Sequence, residues 1–123
     1  MELAGLMLAA LAGLAITAVG ILYLVMPRMM AATFGLPVVP HEEATPWLRL
    51  KGIRDLATGV VAGTLILAAS PTVVGWALLA FTLVPVGDAA TVVASRGSAG
   101  AAWGIHGTTA AFMLVGVVLL LGA

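Results

Sequence analysis

Residues 3–26 carry neither a charged side chain nor a proline, and this one run decides most of what the chain can fold into. In hydrocarbon every backbone N–H and C=O must be paired within the protein, which admits only helices and closed barrels. At ~1.5 Å per residue the run gives a helix of roughly 36 Å, enough to cross a ~30 Å hydrocarbon core with some tilt. Glu2 stands where a secretory signal would be basic, and the run outlasts a signal-peptide core. The expectation is a retained helix that ends at Pro27 and Arg28.

Three more runs follow. Thr45-Pro46 supplies an N-cap and a proline at the first helical position, opening a span over 47–69. Ser70-Pro71 makes a tight turn into 72–94, and Arg96-Gly97-Ser98-Ala99-Gly100 separates that span from 101–121. Short turns put consecutive helices side by side and antiparallel. The sequence therefore predicts an all-α, polytopic membrane protein, an antiparallel bundle of four transmembrane helices with 1–123 as one domain. A composition of 63% hydrophobic and 8% charged residues fits lipid as the solvent.

The same composition excludes several functions. Five basic and five acidic residues cancel without forming a basic cluster, so neither nucleic acid nor anionic headgroups are expected partners. With no cysteine there is no disulfide, thiolate metal site or cysteine nucleophile. Two histidines, one of them in a loop, argue against a bis-histidine haem, and His41-Glu42-Glu43 lacks the spacing of a zinc-protease helix. No serine neighbours a candidate base and no phosphate-binding glycine loop occurs. Neither a metal nor a cofactor is expected.

Arg28, Arg49, Lys51 and Arg96 fall on the side of the first and third loops. By the positive-inside bias that side is cytoplasmic, with loops 27–46 and 95–100 inside and both termini outside. The expected location is a bacterial plasma membrane.

Three of the spans carry ionisable residues: Arg54 and Asp55, Asp88, and His106. Starting the second span after Asp55 would leave only ~21 Å of helix, and ending the third before Asp88 only ~24 Å, both short of the hydrocarbon core. Distances measured from the turns need no bilayer. Asp55 lies ~22 Å before the Ser70 turn and Asp88 ~25 Å after it, while Asp88 and His106 lie ~10 and ~8 Å from the following loop. All four should share one layer and face the interior, because an ionised group facing lipid costs about 2.5–3.5 kcal/mol. Arg54, two carboxylates and a neutral His106 leave one net negative charge, which protonation of His106 would balance. Lys51 can pair with Asp55 four residues on, and is expected instead to snorkel to the interface. Tyr23 is placed to donate to the layer or to sit at the headgroups.

Other features bear on shape. Gly59-Val60-Val61-Ala62-Gly63 is a GxxxG motif that shares a helix face with Asp55 and predicts close packing. Pro85, one turn before Asp88, removes a backbone hydrogen bond and frees the Phe81 carbonyl. Loop 27–46 holds Met29, Met30, Phe34, Leu36, Val38 and Val39, and is expected to form a cytoplasmic lid or to rest on the headgroups with a short helix before Gly35.

Gly52-Ile53-Arg54-Asp55-Leu56-Ala57-Thr58-Gly59, Pro85-Val86-Gly87-Asp88-Ala89 and His106-Gly107 together resemble the small four-helix membrane proteins of domain-of-unknown-function family 4267, within a broader DoxX-like group. The resemblance implies the same fold and highlights the same polar residues, but carries no reaction. From the residues, the expected function is a membrane-embedded site for a lipophilic small molecule, possible acid–base catalysis of the isomerase, cyclase or hydratase type resting on Asp55, Asp88 and His106. Arg54 and Tyr23 would bind substrate. The competing expectation is a noncatalytic accessory or assembly subunit, or a homo-oligomer, in which these residues only clamp the helices. A proton or small-solute transporter ranks behind both.

Overall fold

The computed structural model describes residues 1–122, which are helical throughout apart from turns and one loop. Helix α1 spans Glu2–Val25 and α2 spans Pro27–Thr33. A 3-10 turn, Glu42–Ala44, leads directly into α3, Thr45–Ala68, so Thr45 is the first helical residue rather than its cap. Ser70 caps the next helix through Val73 N–H. That helix runs as α4, Pro71–Phe81, and α5, Leu83–Ala94. The last begins as a short α6, Ala99–Ala101, widens into a π-helical segment, Ala102–Gly107, and continues as α7, Thr108–Leu121. The short helix before Gly35 is thus α2.

Three of these stretches, Glu2–Val25, Pro71–Ala94 and Ala99–Leu121, are long and apolar enough to cross a membrane. They indicate an integral membrane protein. Helix α3 has the same length as α1 but carries Arg49, Lys51, Arg54 and Asp55.

Many large side chains point outward, and on α1 the inward stripe is made mostly of small ones. Leu3, Leu14, Val25, Leu67, Leu83, Val118 and all three tryptophans are exposed, whereas α1 buries Gly5, Ala9, Gly13 and Gly20 along one stripe. Lipid tails are as apolar as leucine, so helices in lipid associate through close packing, which small residues permit. The contacts run antiparallel: Gly13 faces Ala62, Gly20 faces Leu56, and Gly52 faces Tyr23 and Leu24. A Cβ at Gly20 would lie 2.5 Å from Leu56 N, and one at Gly52 2.8 Å from the Gly20 carbonyl, so here backbone packs on backbone. At the other end Gly5 faces Leu120 and Gly75 faces Leu121, which sets α7 antiparallel to both α1 and α4. An apolar core of Ala9, Val74, Leu78, Met113, Val117 and Leu120 fills that end.

The expected GxxxG contact is corrected in one member. Gly59 packs against Thr17 and the Gly13 carbonyl, but Gly63 faces open space. The working partner of Gly59 is Gly52, seven residues back; Gly13 and Gly20 repeat the same spacing on α1. Seven residues is close to two helical turns, so each pair stays on one face.

The stretch Pro71–Ala94 is interrupted at Thr82, three residues before Pro85. Proline at 85 removes the bond to the Phe81 carbonyl. Thr82 is buried, and its hydroxyl donates to the Leu78 carbonyl at 2.8 Å.

The two glycines of the expected motif separate experimentally. Gly59→Ala should lower stability by about 1–3 kcal/mol, since its Cβ overlaps the Thr17 hydroxyl. Gly63→Ala should stay within about 0.5 kcal/mol of the parent. Unfolding in mixed micelles with increasing SDS measures both; equal effects would contradict this packing.

Candidate functional site

On α3, residues 52, 55 and 59 turn inward while 53, 54, 57 and 60 are exposed. Asp55 is therefore buried, and a buried carboxylate needs a cation on its own face or from a neighbour. Lys51, one turn earlier, supplies it: Nζ donates to Asp55 Oδ2 at 2.5 Å. The expectation that Lys51 snorkels away is overturned. Its ammonium also lies 4.6 Å from the centre of the Tyr23 ring and 5.7 Å from that of Phe34, within reach of a cation–π attraction. Tyr23 is buried and meets Lys51 through its ring face.

Arg54 does not take the place expected for it. Consecutive helical residues are ~100° apart, so a helix that buries Asp55 turns Arg54 outward. It is exposed and forms no ion pair among the described residues.

The other two residues come from opposite sides of a turn. Asp88 on α5 and His106 in the π-helical segment approach to 3.8 Å between Oδ2 and Nδ1. π-helical turns are rare and concentrate at functional sites. His106 is buried, and Asp88 keeps 29% of its side chain exposed. The second imidazole nitrogen, Nε2, lies 2.9 Å from the Phe34 carbonyl, and the Phe34 ring packs on the imidazole at 4.6 Å between centroids.

This geometry fixes a proton. A carbonyl oxygen only accepts, so Nε2 must carry a hydrogen and donate it. Nδ1 is then the nitrogen turned toward Asp88, 3.8 Å from Oδ2 and beyond direct hydrogen-bond reach.

Loop 27–46 reaches this region through Phe34 and Gly35. Gly35 has φ 103°, and its carbonyl accepts from Ser98 N–H at 2.8 Å. A side chain at Gly35 would strike Ala101, and one at Gly97 would strike the Gly35 carbonyl. Arg96 adopts the left-handed conformation that ends α5, with Gly97 N–H donating to the Val92 carbonyl at 2.8 Å. The loop is thus seated on the turn that precedes His106.

Contacts therefore run without a break from Asp55 to Lys51, to Tyr23 and Phe34, and from Phe34 to His106 and Asp88. Four of the expected residues, Asp55, Asp88, His106 and Tyr23, lie on this path. Two members went unassigned from sequence. Lys51 was signalled by its four-residue spacing from Asp55; Phe34 was marked only by the glycine that follows it. Away from the path, in the apolar core, a narrow crevice lined by Ala9, Ala62, Leu65, Val74, Leu78 and Phe81 holds about 10 Å³ of open space, room for no more than one water. A wider surface opening at Met26, Arg28, Glu42 and Thr45, beside the Arg28–Glu42 ion pair, shares no residue with it.

The two cations of α3 should respond differently to removal. Lys51→Met leaves the Asp55 carboxylate without a partner and should cost about 1–3 kcal/mol, which Asp55→Leu in the same chain should largely restore. Arg54→Met should change stability by less than about 0.5 kcal/mol. Thermal melting in detergent reads all three, and a larger loss for Arg54→Met would reverse the assignment.

No significant match is found among curated proteins or among solved structures. A family model does match, described as Domain of unknown function (DUF4267), and it covers residues 13–121, from the glycine stripe of α1 to the end of α7. The whole path from Asp55 to Asp88 lies inside that match, and the chain belongs to the DUF4267 family.

Proposed function

We propose that this chain crosses a bacterial plasma membrane four times and holds, near its cytoplasmic face, a site for a lipophilic small molecule. The support for a fourth crossing is packing: α3 lies antiparallel against residues 13–24 of α1, so its charged turn sits at the depth of the end of α1. Pairing Lys51 with Asp55 removes the main electrostatic objection to that depth. Arg28, Arg49 and Arg96 then mark the cytoplasmic side and both termini lie outside. Kinship with the wider DoxX-like group of four-helix membrane proteins belongs to the same proposal.

The observation that carries the site is the unbroken contact path, in which two acid–base pairs from three helices meet under one aromatic residue of a loop. Asp88 and His106 are the groups suited to move a proton, as a general acid and base with no metal or nucleophile required. Lys51 with Asp55 would orient a polar group of the ligand, the role expected of Arg54. Loop 27–46 serves as the lid. Isomerisation, cyclisation or hydration of a lipophile suits such groups in a dry setting.

A structural clamp is the second reading. It is favoured by the completeness of the internal pairing, since no buried side-chain N or O atom among the described residues lacks a partner. The two readings diverge on mutation. Asp88→Asn, Asp55→Asn and His106→Gln should keep the melting temperature within a few degrees and lose a copurified lipophile from native mass spectra. Collapse of all three in detergent would favour the clamp, and retention of the lipophile by all three would refute the site.

The topology has its own test, helped by the absence of cysteine. Glu43→Cys should react with a membrane-impermeant maleimide only in inside-out vesicles, and Thr72→Cys only in right-side-out ones. Labelling of both from one side would show that α3 does not cross.

A further inference from the structure

We infer that Phe34 occupies the place of the ligand, and that the ligand is a planar lipophile bearing a carbonyl oxygen; this rests on the lipophile site proposed above and names its chemistry. One residue supplies both elements of such a molecule. Its main-chain carbonyl oxygen takes the His106 Nε2 hydrogen at 2.9 Å, and its ring lies against the imidazole at a tilt of 51° and 5.7 Å from the Lys51 ammonium.

Phe34 is also built to leave. It follows the last residue of α2 and precedes Gly35, whose φ of 103° suits a hinge. The chain then runs without regular structure to the 3-10 turn at Glu42, and Leu36, Val38 and Val39 are exposed. Lifting the residue breaks its own N–H bond to the Ala31 carbonyl, the His106 bond and the Ser98–Gly35 bond, and parts Gly35 from Ala101, but unwinds no long helix.

The class of ligand follows from what Phe34 leaves behind. Once it lifts, the Nε2 hydrogen of buried His106 has no acceptor, and an unpaired buried donor is costly. A hydrocarbon cannot repair that loss, whereas a carbonyl oxygen can. A site that hydrogen-bonds its ligand rejects the analogue lacking the group far more strongly than one that measures bulk. The tilted ring contact on the imidazole and the nearby ammonium favour a planar aromatic ring beside that oxygen. A free carboxylate would instead add negative charge next to Asp55 and Asp88.

A tethered occupant weakens apparent affinity in proportion to the fraction of sites it fills. The test uses the full chain in nanodiscs with two planar fluorine-labelled probes, 2-fluorofluoren-9-one and 2-fluorofluorene, which differ by a carbonyl against a methylene. Saturable binding is read by fluorine NMR against protein-free nanodiscs. Phe34→Ala removes the ring that holds the strap down but keeps the main-chain carbonyl, so the strap should yield more readily, binding the ketone about tenfold more tightly than the parent and about tenfold over the methylene probe. His106→Leu in the Phe34→Ala background, which removes the donor, should abolish that preference. Phe34→Leu, which keeps the strap and its bulk, should give a smaller gain and decides the matter if the alanine variant fails to fold. No gain in either variant overturns the occupancy. Equal binding of both probes overturns the carbonyl class, while loss of the copurified lipophile in Asp88→Asn would still uphold the site itself.

Discussion

Backbone packed on backbone between α1 and α3 is the contact on which the remaining geometry depends. In lipid no apolar surface is gained by bringing two helices together, so association must come from fit, and glycine offers the closest fit. Gly20 and Gly52 leave no room for a side chain between their helices. That approach sets Tyr23 against the turn of α3 that carries Lys51, and so places an aromatic face where the ammonium needs support. It also fixes which side of α3 is interior, and with it the burial of Asp55 and the exposure of Arg54.

The charges inside the bundle are arranged in pairs with different tolerance. Lys51 and Asp55 sit on one helix a single turn apart, so their pairing survives any movement between helices. His106 and Asp88 belong to different helices, and the imidazole is held at its other end by a loop carbonyl. Their pairing depends on how α5, the π-helical segment and loop 27–46 sit together. One pair is local and permanent; the other reports on tertiary arrangement.

Much of this was legible in the sequence. Run lengths and breakers located the long helices to within about two residues, because the demand for internal backbone pairing leaves few choices. Depth counting from the Arg96 turn matched Asp88 with His106, which approach to 3.8 Å, since rise per residue is nearly constant. What failed was azimuth. Choosing between Arg54 and Lys51 requires knowing which face of α3 meets α1, and that was set by Gly52 with Gly59 rather than by the more conspicuous Gly59 with Gly63. Phe34 escaped for another reason: the periodicity that orients residues in helices has no counterpart in an irregular loop. The π-helical segment was hidden as well, because hydrophobic patterning averages over the single wide turn that distinguishes it from an α-helix.

That wide turn has a consequence for the last helix as a whole. A turn closed by i→i+5 bonds holds one residue more than an α-turn, so the helix beyond it is rotated by about 100° against the register before it. The buried positions Ala102, His106, Ala110, Met113, Val117 and Leu120 follow one another at intervals of four and three residues across that turn. The wide turn thus takes up one residue and keeps His106 on the same buried face as the apolar positions beyond it. A change of one residue in the length of 102–107 would turn His106 and the apolar stripe of α7 to different faces.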